Sequence, residues 1–149
     1  MIQAIYVISR NGVPIHFKEF IEEEEDNVIK ATLFTGIISA IQTVLREIDA
    51  GEANYFTTAT HEIFLEVADD FAVALVKTLD KTSNQAEMTK FLSEIITEIT
   101  FQFEEIPETG FLTIEEQTKI EEIIDGKFSK WENKQDERNA TKKLKDSLW

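Results

Sequence analysis

The chain contains no cysteine, which removes disulfides, thiolate metal sites and cysteine nucleophiles together. Histidine is almost as scarce: His16 and His61 are the only two, and their spacing fits no zinc or catalytic pattern. Neither G-x-x-x-x-G-K-[ST] nor G-x-G-x-x-G occurs, so no nucleotide-binding loop is visible. Long hydrophobic runs are missing too. The longest, such as FAVALV, fall far below the ~20 residues that span a bilayer. The N-terminus has no basic stretch leading into an apolar one, as a signal peptide would. These absences predict a soluble, cytoplasmic protein and offer no cofactor or metal site.

What is present is one domain's worth of chain and a strong charge. A chain of 149 residues buries about 70% of its unfolded surface and needs no covalent staples. The net charge is −14, unevenly placed: residues 127–149 carry seven Lys/Arg and four Asp/Glu, which leaves −17 on the first 126. Such a body repels phosphate backbones and anionic lipid heads, so nucleic acid is not an expected partner. Acidity also keeps a protein soluble, which accounts for much of this signal.

Asn11-Gly12 separates IQAIYVIS from VPIHFKEF, and predicts a hairpin on a type I′ turn. The first strand is apolar on both faces, with Ile2, Ala4, Tyr6 and Ile8 on one side and Ile5 and Val7 on the other, so it reads as central. The second reads as an edge, with Val13, Ile15 and Phe17 facing one way and Pro14, His16 and Lys18 the other. The run EEEED at 22–26 lacks the alternating ligands and glycine of a calcium loop. It reads instead as the acidic start of a helix capped by Asp26 or Asn27. Leu33, Phe34, Ile37, Ile38, Ile41, Val44, Leu45 and Ile48 carry that helix to Gly51 as its C′ glycine.

Three runs without intervening helix follow, at 53–60, 63–69 and 71–79, with turns expected at His61-Glu62 and Asp69-Asp70. The third is the most continuously apolar and reads as a second central strand. Asn84 and Glu87 form a capping box for a helix striped by Met88, Phe91, Leu92, Ile95, Ile96, Ile99 and Phe103. Thr113 and Glu116 form another, opening a helix with Ile120, Ile123, Ile124, Phe128 and Trp131. Residues 132–149 form a charged helical extension, separate from a domain at 1–131, expected to dock on a surface through Leu144, Leu148 and Trp149.

The resulting order is β-β-α-β-β-β-α-α. With its IYVISRNGVPIHF hairpin, long LFTGIISAIQTVL helix and meander ending in FAVALVKTL, the chain resembles the longin domain, a relative of the roadblock/LC7 group. The resemblance implies an α/β (α+β) three-layer α/β/α fold with a five-stranded antiparallel sheet in the order 2-1-5-4-3. It therefore implies interior first and fifth strands, the same two that patterning nominates. Opening directly on the hairpin favours longin over roadblock, whose members usually begin with an extra helix. The chain is similar to the small stand-alone versions of archaea related to eukaryotes. Longin domains occur in vesicle-trafficking and GTPase-regulating complexes, and are generally interaction modules rather than enzymes.

The partner implied by the resemblance is a small GTPase or another longin or roadblock domain, a second copy included. Sheet edges and the first helix would bind it. On this sequence that nominates Ile15, Phe17 and Phe20 for β-augmentation, although Ile15 and Phe17 equally suit packing beneath the chain's own helices. Gly36 and Ala40 offer a small flat spot on the first helix, and Leu144, Leu148 and Trp149 a docking end. Peripheral membrane contact by the basic tail is left open. The alternative is a small-ligand sensor on the same scaffold, which needs an enclosed pocket with convergent polar groups.

Overall fold

The structure, a computed structural model, describes residues 2–20, 27–79, 85–107 and 109–148. Its elements are β1 (Ile2–Ser9), β2 (Pro14–Glu19), α1 (Asn27–Glu47), β3 (Tyr55–Thr57), β4 (His61–Val67), β5 (Phe71–Thr78), α2 (Gln85–Gln102) and α3 (Ile114–Leu148). The five strands form one antiparallel sheet in the order β2-β1-β5-β4-β3. This is the architecture expected from the sequence, with β1 and β5 interior and β2 and β3 at the edges.

Period-two alternation on the central strands divides the core into two layers. Ile5, Val7, Phe64, Phe71, Val73 and Leu75 pack beneath α2 and α3 with Phe91, Leu92, Ile95, Ile99, Ile120 and Ile124. Ala4, Tyr6, Ile8, Leu65 and Ala74 pack beneath α1 with Ala31 and Ile38. The acidic run at 22–26, the Asp26 cap and the Asn84 capping residue lie outside the described residues. The Thr113–Glu116 box is formed as expected: Thr113 N–H donates to Glu116 Oε1 at 3.0 Å, and Glu116 N–H to Thr113 Oγ1 at 3.2 Å. The Thr113 backbone N–H, and after it the Thr113 side chain, hold the Glu116 carboxyl below its usual range.

Local geometry departs from the sequence expectations in five places. The hairpin turn is not type I′, because Gly12 has φ +80° and Asn11 has no positive φ. Gly12 N–H donates to Ser9 O and Ser9 N–H to Val13 O, a three-residue loop closed by one left-handed glycine. Register shifts at Val7/Ile8 and at Ile2/Ala4 mark bulges, and each turns a side chain over. Ile15 therefore joins the layer under α2 and α3 while Phe17 stays under α1, and Ile2 parts from Ala4 in the same way.

The end of α1 differs too. Asp49, at φ +54°, occupies C′, with Ala50 N–H donating to Leu45 O and Asp49 N–H to Arg46 O. That is a Schellman closure two residues before Gly51. His61 and Glu62 begin β4 rather than forming a turn, because the Glu62 charge is internal: Lys77 Nζ lies 2.9 Å from Glu62 Oε2. The turn falls at Thr58–Thr60 instead, where Thr58 N–H donates to His61 O. Finally, β3 is ordered as a strand only over Tyr55–Thr57, shorter than the run at 53–60.

Candidate interaction surface

The nominated residues of β2 are largely consumed by the fold. Ile15 is buried at 5% exposure. Phe17 is half-buried and stacks on Tyr6, with centroids 6.3 Å apart. Phe20 is half-buried and stacks on Phe128 at 3.9 Å, while Lys18 pairs with Asp125 at 3.0 Å. Phe20 and Lys18 fix the end of β2 against α3, and β2 is an edge strand of the sheet.

The first helix is different. Gly36 and Ala40 are exposed, and nothing lies within 4 Å of where a Gly36 Cβ would stand. Around them Leu33, Ile37, Val44 and Ile48 are 63%, 59%, 58% and 66% exposed. At about 100° per residue these side chains form one continuous outer face. The opposite side of the helix supplies Ala31, Thr35, Ile38 and Gln42 to the interior. Patterning had placed the four large residues in one stripe with the core. The signal in the sequence is width: the eight large apolar residues fan over about 140° of the helix, whereas one buried stripe needs only about 100°.

Close contacts fix α1 in place. A Cβ at Gly12 would stand 2.6 Å from Ser39 Cβ, so the hairpin turn lies directly on the helix. Gln42 clips the chain after α1 by donating from Nε2 to Ala53 O at 2.9 Å and accepting Ala53 N–H at 2.8 Å. The exposed face is thus presented on a rigid element. Beside it, a cavity of about 310 Å³ opens between the C-terminal half of α1 and the β4–β5 turn. Arg10, Arg46, Glu52, Asp69 and Asp70 line it, and Arg10 Nη2 donates to Asp69 O at 2.7 Å and Asp70 Oδ1 at 3.2 Å.

The two histidines sit apart. His61 Nε2 lies 2.8 Å from Gln3 Oε1 and its Nδ1 2.6 Å from Thr60 Oγ1. His16 is wedged between β2 and α3, where burial lowers its pKa while Glu121 and Asp125 pull it back up. Among the described residues no group of three or more His, Asp or Glu could hold a metal ion. Among them, too, no helix is long and apolar enough to cross a membrane.

Leu144 and Leu148 are exposed at 62% and 73% on the last turns of α3. Trp149 lies outside the described residues.

The chain matches no protein-family model and no curated protein. Solved structures do match. Myxococcus xanthus MglB aligns with TM-score 0.51 at 14% identity, over 68% of this chain and 85% of that one. A Roadblock/LC7 domain from Streptomyces avermitilis aligns with TM-score 0.53 at 10% identity, over 68% and 84%. The fold is longin/roadblock-like. In that frame α1 packs on one face of the sheet, and its outer side carries four large aliphatic side chains more than half exposed. The backbone edges of β2 and β3 bound the same sheet.

Proposed function

We propose that this chain is a non-enzymatic interaction module that binds a small GTPase, or another longin or roadblock domain, within a GTPase-regulating or trafficking complex. The observation that carries the reading is the outer face of α1, where four large aliphatic side chains stand more than half exposed around Gly36 and Ala40. Contiguous apolar surface of this kind marks a place where another macromolecule sits. Small residues between large ones let a partner backbone approach. The longin/roadblock-like fold supports the class of partner by analogy.

The test is binding of the full chain to the small GTPases of its own organism, each loaded with GDP or a GTP analogue. Binding that disappears in an Ile37→Glu, Val44→Glu chain supports the reading. Absence of any GTPase, longin or roadblock partner, or binding indifferent to those substitutions, overturns it. The sensor alternative draws its support from the cavity lined by Arg10 and Arg46, and a small molecule bound there would favour it.

A further inference from the structure

The far end of α3 carries a surface that the proposed function does not use. Gln135 and Arg138 reach Glu87 in the first turn of α2, and residues 139–148 beyond them are all exposed. At about 1.5 Å per residue, roughly 15 Å of helix stands clear of the body. A helix segment this short has little stability of its own in water. Leu144 and Leu148 lie one turn apart on it. Residues 138–148 hold Arg138, Lys142, Lys143 and Lys145 against Asp146 alone.

The other end of the same helix has the opposite character. Phe101, Phe111 and Ile114 are 85%, 83% and 84% exposed, the most exposed large apolar side chains among the described residues. Phe101 is the last residue but one of α2, Phe111 lies in the connection, and Ile114 begins α3. Glu98, Glu104, Glu105 and Glu115 accompany them, and residues 91–118 contain seven acidic side chains and no Lys or Arg.

Each end offers what the other lacks, yet they cannot meet within one chain. Ile114 and Leu144 are separated by about 45 Å of continuous helix. We infer that two copies associate head to tail, with Leu144 and Leu148 of one seated on Phe101, Phe111 and Ile114 of the other. The basic side chains of the tail then lie over the acidic ones of the head. Tail on tail, or head on head, would set like charges together. Among the described residues α1 carries only Lys30, Arg46 and Glu47, so its outer face offers the tail less acidic charge than the head does. Two antiparallel α3 helices make this contact twice and close a dimer, whereas a single contact per pair leaves an open chain.

Sedimentation velocity of the full chain at low salt and at about 0.5 M salt tests the contact, because screening acts on exposed charges. The expected result is association at low salt that weakens at least tenfold at high salt. Leu144→Glu with Leu148→Glu, or Phe101→Glu with Phe111→Glu, should each abolish it. Every substituted side chain is exposed, so thermal unfolding checks that both variants fold. Mixing the two variants should not restore a closed symmetric pair, but should restore one contact and hence a heterodimer. The absence of cysteine allows a direct probe: Phe111→Cys and Leu144→Cys together should oxidise to a disulfide between copies, while Ile37→Cys with Leu144→Cys should not. A strict monomer at low salt, association that survives both pairs of substitutions, or equal cross-linking from position 37 would overturn the inference.

Discussion

Lys77 Nζ stands 2.9 Å from Glu62 Oε2, and the two side chains are only 6% and 5% exposed. Tyr55 completes the arrangement by donating its hydroxyl to Glu62 Oε1 at 2.9 Å. Burial and this carboxylate together raise the tyrosine pKa. A charge pair taken this far out of water holds only while both members remain. Lys77→Met should therefore cost about 3–5 kcal/mol in urea unfolding by leaving Glu62 uncompensated. Lys77→Met with Glu62→Leu should recover most of that loss, and a double variant as unstable as the single one would contradict the account.

The α1 surface predicts a separation of stability from binding. Ile37→Glu should change unfolding free energy by no more than about 0.5 kcal/mol, as exposed substitutions do. Ile38→Ala, one position along and 3% exposed, should cost about 2–5 kcal/mol. Chemical denaturation of both variants checks the pair.

Gly12 and Gly36 should respond to alanine with opposite signs. At Gly12 the φ of +80° and the Ser39 Cβ 2.6 Å away leave no room for a methyl, so Gly12→Ala should destabilise by more than about 1 kcal/mol. Gly36 lies inside α1 with open space around it. There alanine should stabilise by about 0.5–1 kcal/mol through the backbone entropy of the unfolded chain. Thermal melting of the two variants resolves the signs.

Acid should loosen α3 in two stages. His16 has a folded pKa lowered from 6.5, so the unfolded chain binds the proton more readily and stability falls as pH drops through that value. The groups facing it are Glu121 and Asp125 of α3 and Lys18 of β2. Glu116 has a folded pKa lowered from 4.5, and its capping contribution is present above that value and lost as pH falls below it. His16→Gln should remove the upper stage and Glu116→Gln the lower, read from unfolding midpoints between pH 7 and about 3.

Element order and the interior strands were legible because long periodic runs report burial directly, as Ile5, Val7, Val73 and Leu75 show. The bulges that separate Ile15 from Phe17 were not, since no residue type announces an extra position in an edge strand. Asp49 took the left-handed C′ place that Gly51 suggested, because the Schellman bonds depend on where the last helical turn sits. Glu62 read as a turn residue because its partner Lys77 lies on another strand. The exposed half of α1 was hidden by its own composition: Leu33 and Phe34 look alike in sequence, and only docking on the sheet decides which one water sees.

The strand order also has a consequence for synthesis. β1 pairs with β5, and β2 is held by α3 through Phe20 on Phe128. Strands β1 and β2 therefore wait for elements translated after them. Until α2 and α3 emerge, one whole side of the sheet lacks its cover, and Ile5, Val7, Val73 and Leu75 face solvent. Such long-range closure folds slowly and leaves strand edges open meanwhile. Truncation before Ile120, which removes the α3 side chains of that cover, is expected to yield aggregated chains rather than a smaller folded domain, whereas loss of residues 139–148 alone is not.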